Sequence, residues 1–356
     1  MEISYPIGYL PLWIKKNCPT RNCKKKQFRP PQRGGNIGNL EAETSGKLFN
    51  KMEKGKNEKF SRIIGKYTSD KKGPLLFVTG GVHGNEPSGV IALQKVFEEL
   101  ERTKPEISGT IVGVVGNKKA LNVDQRYIEE DLNRTWTLEN VESGKKDTQE
   151  KNEMFEIIDV LKQFPEANFT KRYFLDCHTT SAATVPFISV QEVNDNDPWA
   201  HKFPTYIIRG FSDIVSGCID HYMSRTGLTG FVFEAGQHTD LRSVENHEGV
   251  IWLALKEACG LELEKISCYP ECVDKFVEKN APDQKTFEII HRHGLEDADD
   301  FKMEPGFENF QEIEKGELLA LQNGKEVHSE WNAHIFMPLY QSQGNDGFFI
   351  VEQVLV

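Results

Sequence analysis

No apolar run in the chain approaches the roughly 18 residues needed to span a bilayer, so a transmembrane helix is not expected. The N-terminus lacks an apolar h-region and a small-residue cleavage site; Glu2, a short mixed segment, Pro11 and Lys15-Lys16 stand there instead, which excludes a convincing signal peptide. Cysteine is sparse. Seven cysteines in 356 residues, an odd number spread over the whole length, argue against a disulfide framework and for a reducing cytoplasm. Cys18/Cys23 and Cys268/Cys272 are close pairs without CxxC spacing, and each reads either as free thiols or as a metal or redox pair. Internal repeats are missing too. Beyond residue 60 acidic residues outnumber basic ones, leaving a net charge of −19 against +8 for residues 1–60. Such an acidic body disfavours nucleic acid as a partner.

What is present divides the chain in three. Residues 1–58 are rich in Lys, Pro, Gly and Asn without a sustained period, and read as a basic extension with little fixed structure; binding of RNA or membrane by this tail is the alternative. Met52 lies just before the ordered pattern begins, so part of this segment is a candidate for absence from the mature protein. Residues 59–261 alternate strand and helix signals. Strands are expected near 62–67, 75–79, 111–115, 173–176, 185–190, 206–210 and 231–233, with helices at 87–102, 147–163 and 214–225 and a last one capped by Ser243 and running to about Cys259. This predicts an α/β fold with a mixed, largely parallel sheet flanked by helices. Residues 262–356 carry short apolar runs separated by glycine and acidic turns, and predict a smaller β-rich C-terminal domain.

The chemistry is concentrated at the ends of the expected strands. Leu75-Leu76-Phe77-Val78-Thr79 runs into Gly80-Gly81-Val82-His83-Gly84-Asn85-Glu86-Pro87, a buried strand, a tight loop and a helix start. In open α/β sheets ligands bind beyond the carboxyl ends of the strands, and a His and a Glu three apart on one turn can reach a single zinc ion; a solvated surface loop is the alternative. A third ligand is offered by His178, at the end of Leu175-Asp176-Cys177, where a core histidine is the competing reading. Two close ligands and one distant one leave a catalytic zinc with an open position. Asp176 either orients that histidine or caps its loop.

Hydrolysis also needs a carboxylate to shuttle protons. Glu234, after Phe231-Val232-Phe233 and before Gly236, is the candidate, against a Glu satisfied by a nearby Arg or backbone amide. Arg126, Asn133 and Arg134, between the strand expected at 111–115 and the helix expected at 147–163, could bind a substrate carboxylate through paired charge-assisted bonds; exposed pairing with Glu129 or Glu130 is the alternative.

Gly81-x-His83-Gly84-Asn85-Glu86, Asp131-Leu132-Asn133-Arg134, Asp176-x-His178-x-Thr180 and Glu234-x-Gly236, in this order, resemble the succinylglutamate desuccinylase/aspartoacylase family, a branch of the zinc carboxypeptidase-like fold, over roughly residues 62–260. The resemblance implies that His83, Glu86 and His178 bind one zinc ion and that Glu234 is the general acid/base. It further implies that Arg126 polarises the scissile carbonyl while Asn133 and Arg134 grip the substrate's α-carboxylate, and that a β-rich C-terminal domain shapes the entrance. The groups that recognise the substrate side chain and acyl chain are not placed between residues 190 and 230; Tyr340 is a candidate for a tyrosine supplied by the C-terminal domain.

The expectation is therefore a cytoplasmic zinc-dependent hydrolase that cleaves the amide bond of a small N-acyl amino acid, with neither nucleic acid nor membrane as partner. A zinc carboxypeptidase acting on peptides, or a non-catalytic binding protein on the same fold, is the rival. A missing ligand or base would mark the latter, and none is missing.

Overall fold

The computed structural model describes residues 60–266, 269–280 and 284–355. The basic extension over 1–58, the Cys18/Cys23 pair and Cys268 lie outside them. No helix among the described residues is long and apolar enough to cross a membrane.

Four mostly apolar, buried runs, Leu75–Gly80, Thr110–Val115, Arg172–Thr180 and Thr229–Gln237, make the parallel centre of this part of the sheet. Strands β1 (Ile63–Thr68), β2 (Leu75–Gly80), β3 (Thr110–Val115) and β4 (Arg172–Thr180) are joined by β5 (Phe187–Ser189), β6 (Tyr206–Arg209) and β7 (Thr229–Gln237). Parallel pairing links β3-β2-β4-β7, while β1 closes antiparallel on β3. Side chains alternate across a strand, and β2 shows the consequence. Leu76 and Val78 enter one core with Leu93, Val96 and Leu100 of α1 (Ser88–Thr103), and Leu75 and Phe77 enter another with Met154, Ile157 and Leu161 of α2 (Gln149–Lys162). Helix α3 (Arg242–Cys259) lies on the α1 face, and α4 (Glu271–Asn280) covers it with Phe276. Both faces of the sheet are thus covered, as the continuous apolar runs of its central strands require. Each fully buried Leu or Phe in these layers stabilises the fold by about 1.5–3 kcal/mol.

The remaining strands are β8 (Thr286–Gly294), β9 (Phe301–Met303), β10 (Gln311–Ile313), β11 (Leu318–Gln322), β12 (Lys325–His328), β13 (Ala333–Phe336) and β14 (Asp346–Val354). Four of them continue the same sheet in the order β6-β8-β14-β13-β10, and β12-β11-β9 form a separate three-stranded sheet. The β-rich character expected of residues 262–356 is present among the described residues, which fall in one compact unit.

Several expected boundaries shift for physical reasons. Strands β4 and β7 run past Asp176 and Phe233 because they pair with each other as far as Thr180 and Gln237, so His178 and Glu234 lie inside strands rather than after them. The helix expected over 214–225 is two short ones, Phe211–Ile214 and Ile219–Arg225, broken at Gly217. That glycine has φ 77° and packs so closely on the Arg134 carbonyl that a Cβ would lie 2.2 Å from its oxygen. Ser243 is not the cap of α3: Leu241 takes that position, and the Ser243 hydroxyl donates to the Gln237 carbonyl at 3.0 Å.

Candidate metal centre and substrate cleft

The loop after β2 carries His83 and Glu86 to the carboxyl end of the sheet, where β4 presents His178. All three are buried, and their ligating atoms lie within 4.8 Å of one another. The Glu86 carboxylate is at the centre of the group. Its Oε1 is 2.8 Å from His83 Nδ1, and its Oε2 is 3.1 Å from His178 Nδ1 and accepts the Thr179 N–H at 2.9 Å. The far nitrogen of each ring has its own carboxylate: His83 Nε2 is 3.1 Å from Asp131 Oδ1, and His178 Nε2 is 2.7 Å from Asp176 Oδ2. Thr79 Oγ1 in turn donates to Asp176 Oδ1 at 2.5 Å. Asp176 thus makes the contact by which a carboxylate orients a histidine, while Asp131 does the same for His83 without any sequence signal beyond its place in the Asp-Leu-Asn-Arg run.

A proton on each Nε2, donated to its carboxylate, leaves each Nδ1 lone pair directed at Glu86. Burial alone would favour a neutral ring, yet Asp176 and Glu86 hold His178 well above the usual histidine range. Burial would also raise Glu86, but the two imidazoles keep it well below the usual carboxylate range. The site therefore calls for positive charge among two nitrogens and a carboxylate, and two His with one Glu is a donor set of catalytic zinc. The residues present fit that ion.

The loop is tightly packed beneath these groups. A Cβ on Gly84 would lie 2.1 Å from the Ala120 carbonyl carbon and 2.3 Å from the Leu121 nitrogen, so only glycine allows this approach.

Glu234 lies beside His178 in the β4–β7 register and opposite Phe187 of β5. It is buried, and its Oε2 finds no hydrogen-bond partner among the described residues. Burial, followed by the charges of Glu86 and Asp176, pushes its carboxyl well above the usual range against the pull of His178 and Arg126. A carboxyl poised in this way can exchange a proton.

His83, Glu86, His178, Glu234, Arg126, Asn133 and Arg134 line one cleft. Arg126 binds Asp131 Oδ2 through Nε at 3.1 Å and Nη2 at 2.9 Å, and its Nη1 is 3.8 Å from Glu86 Oε1. Asn133 accepts the Ile219 N–H at 2.9 Å through Oδ1. Arg134 donates from Nη1 to the Asn133 carbonyl at 2.8 Å and from Nη2 to Asp346 Oδ2 at 2.9 Å. The exposed pairing with Glu129 or Glu130 is not the arrangement found for either arginine. Tyr340 is turned away from the cleft, donating to the Glu304 carbonyl at 2.7 Å and accepting the Phe307 N–H at 3.0 Å.

Three further features escaped sequence reasoning. Asp346 opens β14 and comes to the cleft from the far end of the chain, where Arg292 Nε also donates to it at 2.5 Å. His238 is 2.8 Å from Thr179 Oγ1 and 3.2 Å from Gln341 Oε1, tying the β7 exit to a C-terminal loop. Buried Glu150 of α2 gathers the Arg126 loop by accepting from Asn117 Nδ2 at 2.9 Å and from the N–H groups of Ile128, Glu129 and Glu130 at 2.8, 3.1 and 3.3 Å.

Residues 72–244, which hold every one of these motif residues, match the family model described as the succinylglutamate desuccinylase/aspartoacylase catalytic domain. Over that span the chain is similar to the succinylglutamate desuccinylase/aspartoacylase family. Among relatives, a probable aspartoacylase of Nostoc sp. is 27% identical over 165 residues, covering 45% of this chain and 54% of that protein. The chain thus spans about half the length of that relative. A succinylglutamate desuccinylase of Pseudoalteromonas atlantica is 22% identical over 291 residues, 75% of this chain and 76% of that protein. The crystal structure of a succinylglutamate desuccinylase/aspartoacylase from Rhodobacter sphaeroides superposes with a TM-score of 0.58 at 17% identity, covering 80% of this chain and 87% of that one. This likeness extends the fold assignment beyond the family match into the C-terminal strands.

Proposed function

We propose that this protein is a member of that family and a zinc-dependent hydrolase of the amide bond in N-acyl amino acids. The observation that carries the reading is Glu234, a buried carboxyl with an unpartnered oxygen, standing beside a His-Glu-His donor set in one cleft with two arginines. Zinc held by His83, Glu86 and His178 would polarise the acyl carbonyl and lower the pKa of a water molecule to about 7.

The chain's own residues do the rest. Glu234 takes the proton from the attacking water and delivers it to the departing amine nitrogen, which leaves as the free amino acid. Arg126, held by two bonds to Asp131, directs its guanidinium at the oxygen on which charge develops. Asn133 and Arg134 hold the α-carboxylate and so fix the amide relative to Glu234. Asp131 and Asp176 keep the two imidazoles in the tautomer that offers Nδ1. The four described cysteines, Cys177, Cys218, Cys259 and Cys272, are free thiols, which supports a reducing cytoplasm as the working compartment.

The test is mass-spectrometric detection of free amino acid from N-acetyl and N-succinyl amino acids and from peptides with free C-termini, with and without a chelator. Release from acyl amino acids that stops on chelation and returns with zinc is expected. Cleavage of peptides alone would establish the carboxypeptidase instead, and silence across the panel would leave a binding protein on the same fold.

A further inference from the structure

Building on the hydrolase reading, we propose that the part of the substrate beyond its α-carboxylate and amide is a neutral aromatic or aliphatic group, and that Phe211 and Asp346 set this preference. The cleft wall beyond the catalytic carboxylate is made by Phe187, Phe211, Phe336, Met337, Leu339 and Phe349. It begins at the reacting centre, because Phe187 pairs directly with Glu234 across β5 and β7. Phe187 meets Phe336 edge-on with ring centroids 5.1 Å apart, and Phe211 packs on Phe349 at 5.3 Å. Phe187, Phe336 and Phe349 are buried and back this wall, while the half-buried Phe211, Met337 and Leu339 give it its apolar surface, which offers no hydrogen-bond donor.

The charges point the same way. Among the described residues that line the cleft, the permanent cations are Arg126 and Arg134, and each already faces a carboxylate of the protein, Asp131 and Asp346. Asp346 is shared with Arg292, so one substrate carboxylate can take Arg134 while Asp346 stays on its second guanidinium. A second substrate carboxylate has no such partner. It would meet the apolar wall, Asp346 itself and Asp220, a buried residue whose carboxyl burial pushes up and whose Oδ1 finds no partner among the described residues; the other polar groups of the lining, such as Ser181, Ser189 and Asn345, carry no charge to neutralise it. Placing a carboxylate there without a counter-charge costs enough to lower turnover by about 100-fold, equivalent to about 2.7 kcal/mol at 1.36 kcal/mol per tenfold.

The experiment measures kcat/KM of the zinc-loaded full chain for N-acetyl-L-phenylalanine, N-acetyl-L-leucine, N-acetyl-L-aspartate and N-succinyl-L-glutamate. The neutral substrates are expected to exceed the acidic ones by about 100-fold. Asp346→Asn, which releases Arg134 and Arg292 from their internal carboxylate, and Phe211→Arg, which adds a cation to the half-buried end of the wall, are each expected to move the ratio about tenfold towards the acidic substrates. Wild-type preference for aspartate or succinylglutamate substrates, or a ratio that neither folded variant moves, would overturn this substrate class while leaving the hydrolase intact. Turnover of none of the four would overturn the hydrolase reading and this inference with it.

Discussion

Glu150 is the residue on which the geometry of the Arg126 loop rests, and its removal has a calculable effect. One buried carboxylate accepts four hydrogen bonds, three of them from successive backbone N–H groups at 128–130 and one from Asn117, which itself caps the helix Lys118–Val123. A hydrogen bond to a charged group contributes about 1.5–3 kcal/mol, and a buried donor left unpaired costs about 1–3 kcal/mol. The loop is only partly buried, so water can reach some of the released donors and the four losses do not add. Glu150→Ala should therefore cost about 3–5 kcal/mol, close to the upper range for a single substitution, and Glu150→Gln about half of that because one oxygen remains. Urea unfolding followed by circular dichroism, with both proteins zinc-saturated, gives the difference directly from the midpoints. Because Arg126 and Asp131 flank the gathered N–H groups, kcat on any accepted substrate should fall together with stability. A Glu150→Ala midpoint corresponding to less than about 0.5 kcal/mol of destabilisation, which is the level of an ordinary surface change, would refute the reasoning.

Glu234→Gln removes the proton carrier without touching a ligand; zinc content by inductively coupled plasma mass spectrometry should stay at wild type while kcat falls by about 10²–10⁴. Gly84→Ala forces a methyl group into the backbone of Ala120 and Leu121, and a competition titration with a chromophoric chelator should show weaker zinc binding. His247 is fully buried against Phe233, neither ring nitrogen finds a partner of good hydrogen-bond geometry among the described residues, and burial pushes it down to about 3. The unfolded chain then takes up a proton below about 6.5 that the folded chain refuses. Its contribution to stability is complete above that pH and declines by up to about 1.4 kcal/mol per pH unit as the pH falls towards 3. Urea midpoints of wild type and His247→Phe between pH 7 and 4.5 should converge as acid is added; parallel curves would exclude this histidine as the cause.

The sheet and its His-Glu-His cluster were legible because two simple signals coincide. Leu75 to Thr79 and Ile111 to Val115 are continuous apolar runs, and in a parallel sheet their carboxyl ends open on one crevice, so His83, Glu86 and His178 converge although they are distant in sequence. Strand ends were less legible. The pairing of β7 with β4 and β5 carries Glu234 into a strand, and nothing in Phe231 to Phe233 alone shows where a partner strand stops. Asp346, Gln341 and Glu150 left no trace for a different reason. Each stands among polar residues that look solvated, and each acquires its role only from a partner brought near by folding, such as Arg134 for Asp346. The sharing of Asp346 by two arginines decides what the cleft accepts, and no local pattern announces it.

The most direct measurement is hydrolysis in ¹⁸O-enriched water. Zinc-loaded protein is incubated with N-acetyl-L-phenylalanine and N-acetyl-L-aspartate, and the released acetate is weighed by mass spectrometry. Water attack on the acyl carbonyl predicts acetate carrying one ¹⁸O atom and an amino acid carrying none, with both products lost in Glu234→Gln. Intact substrates, or acetate released with equal efficiency by the Glu234→Gln protein, would contradict the account.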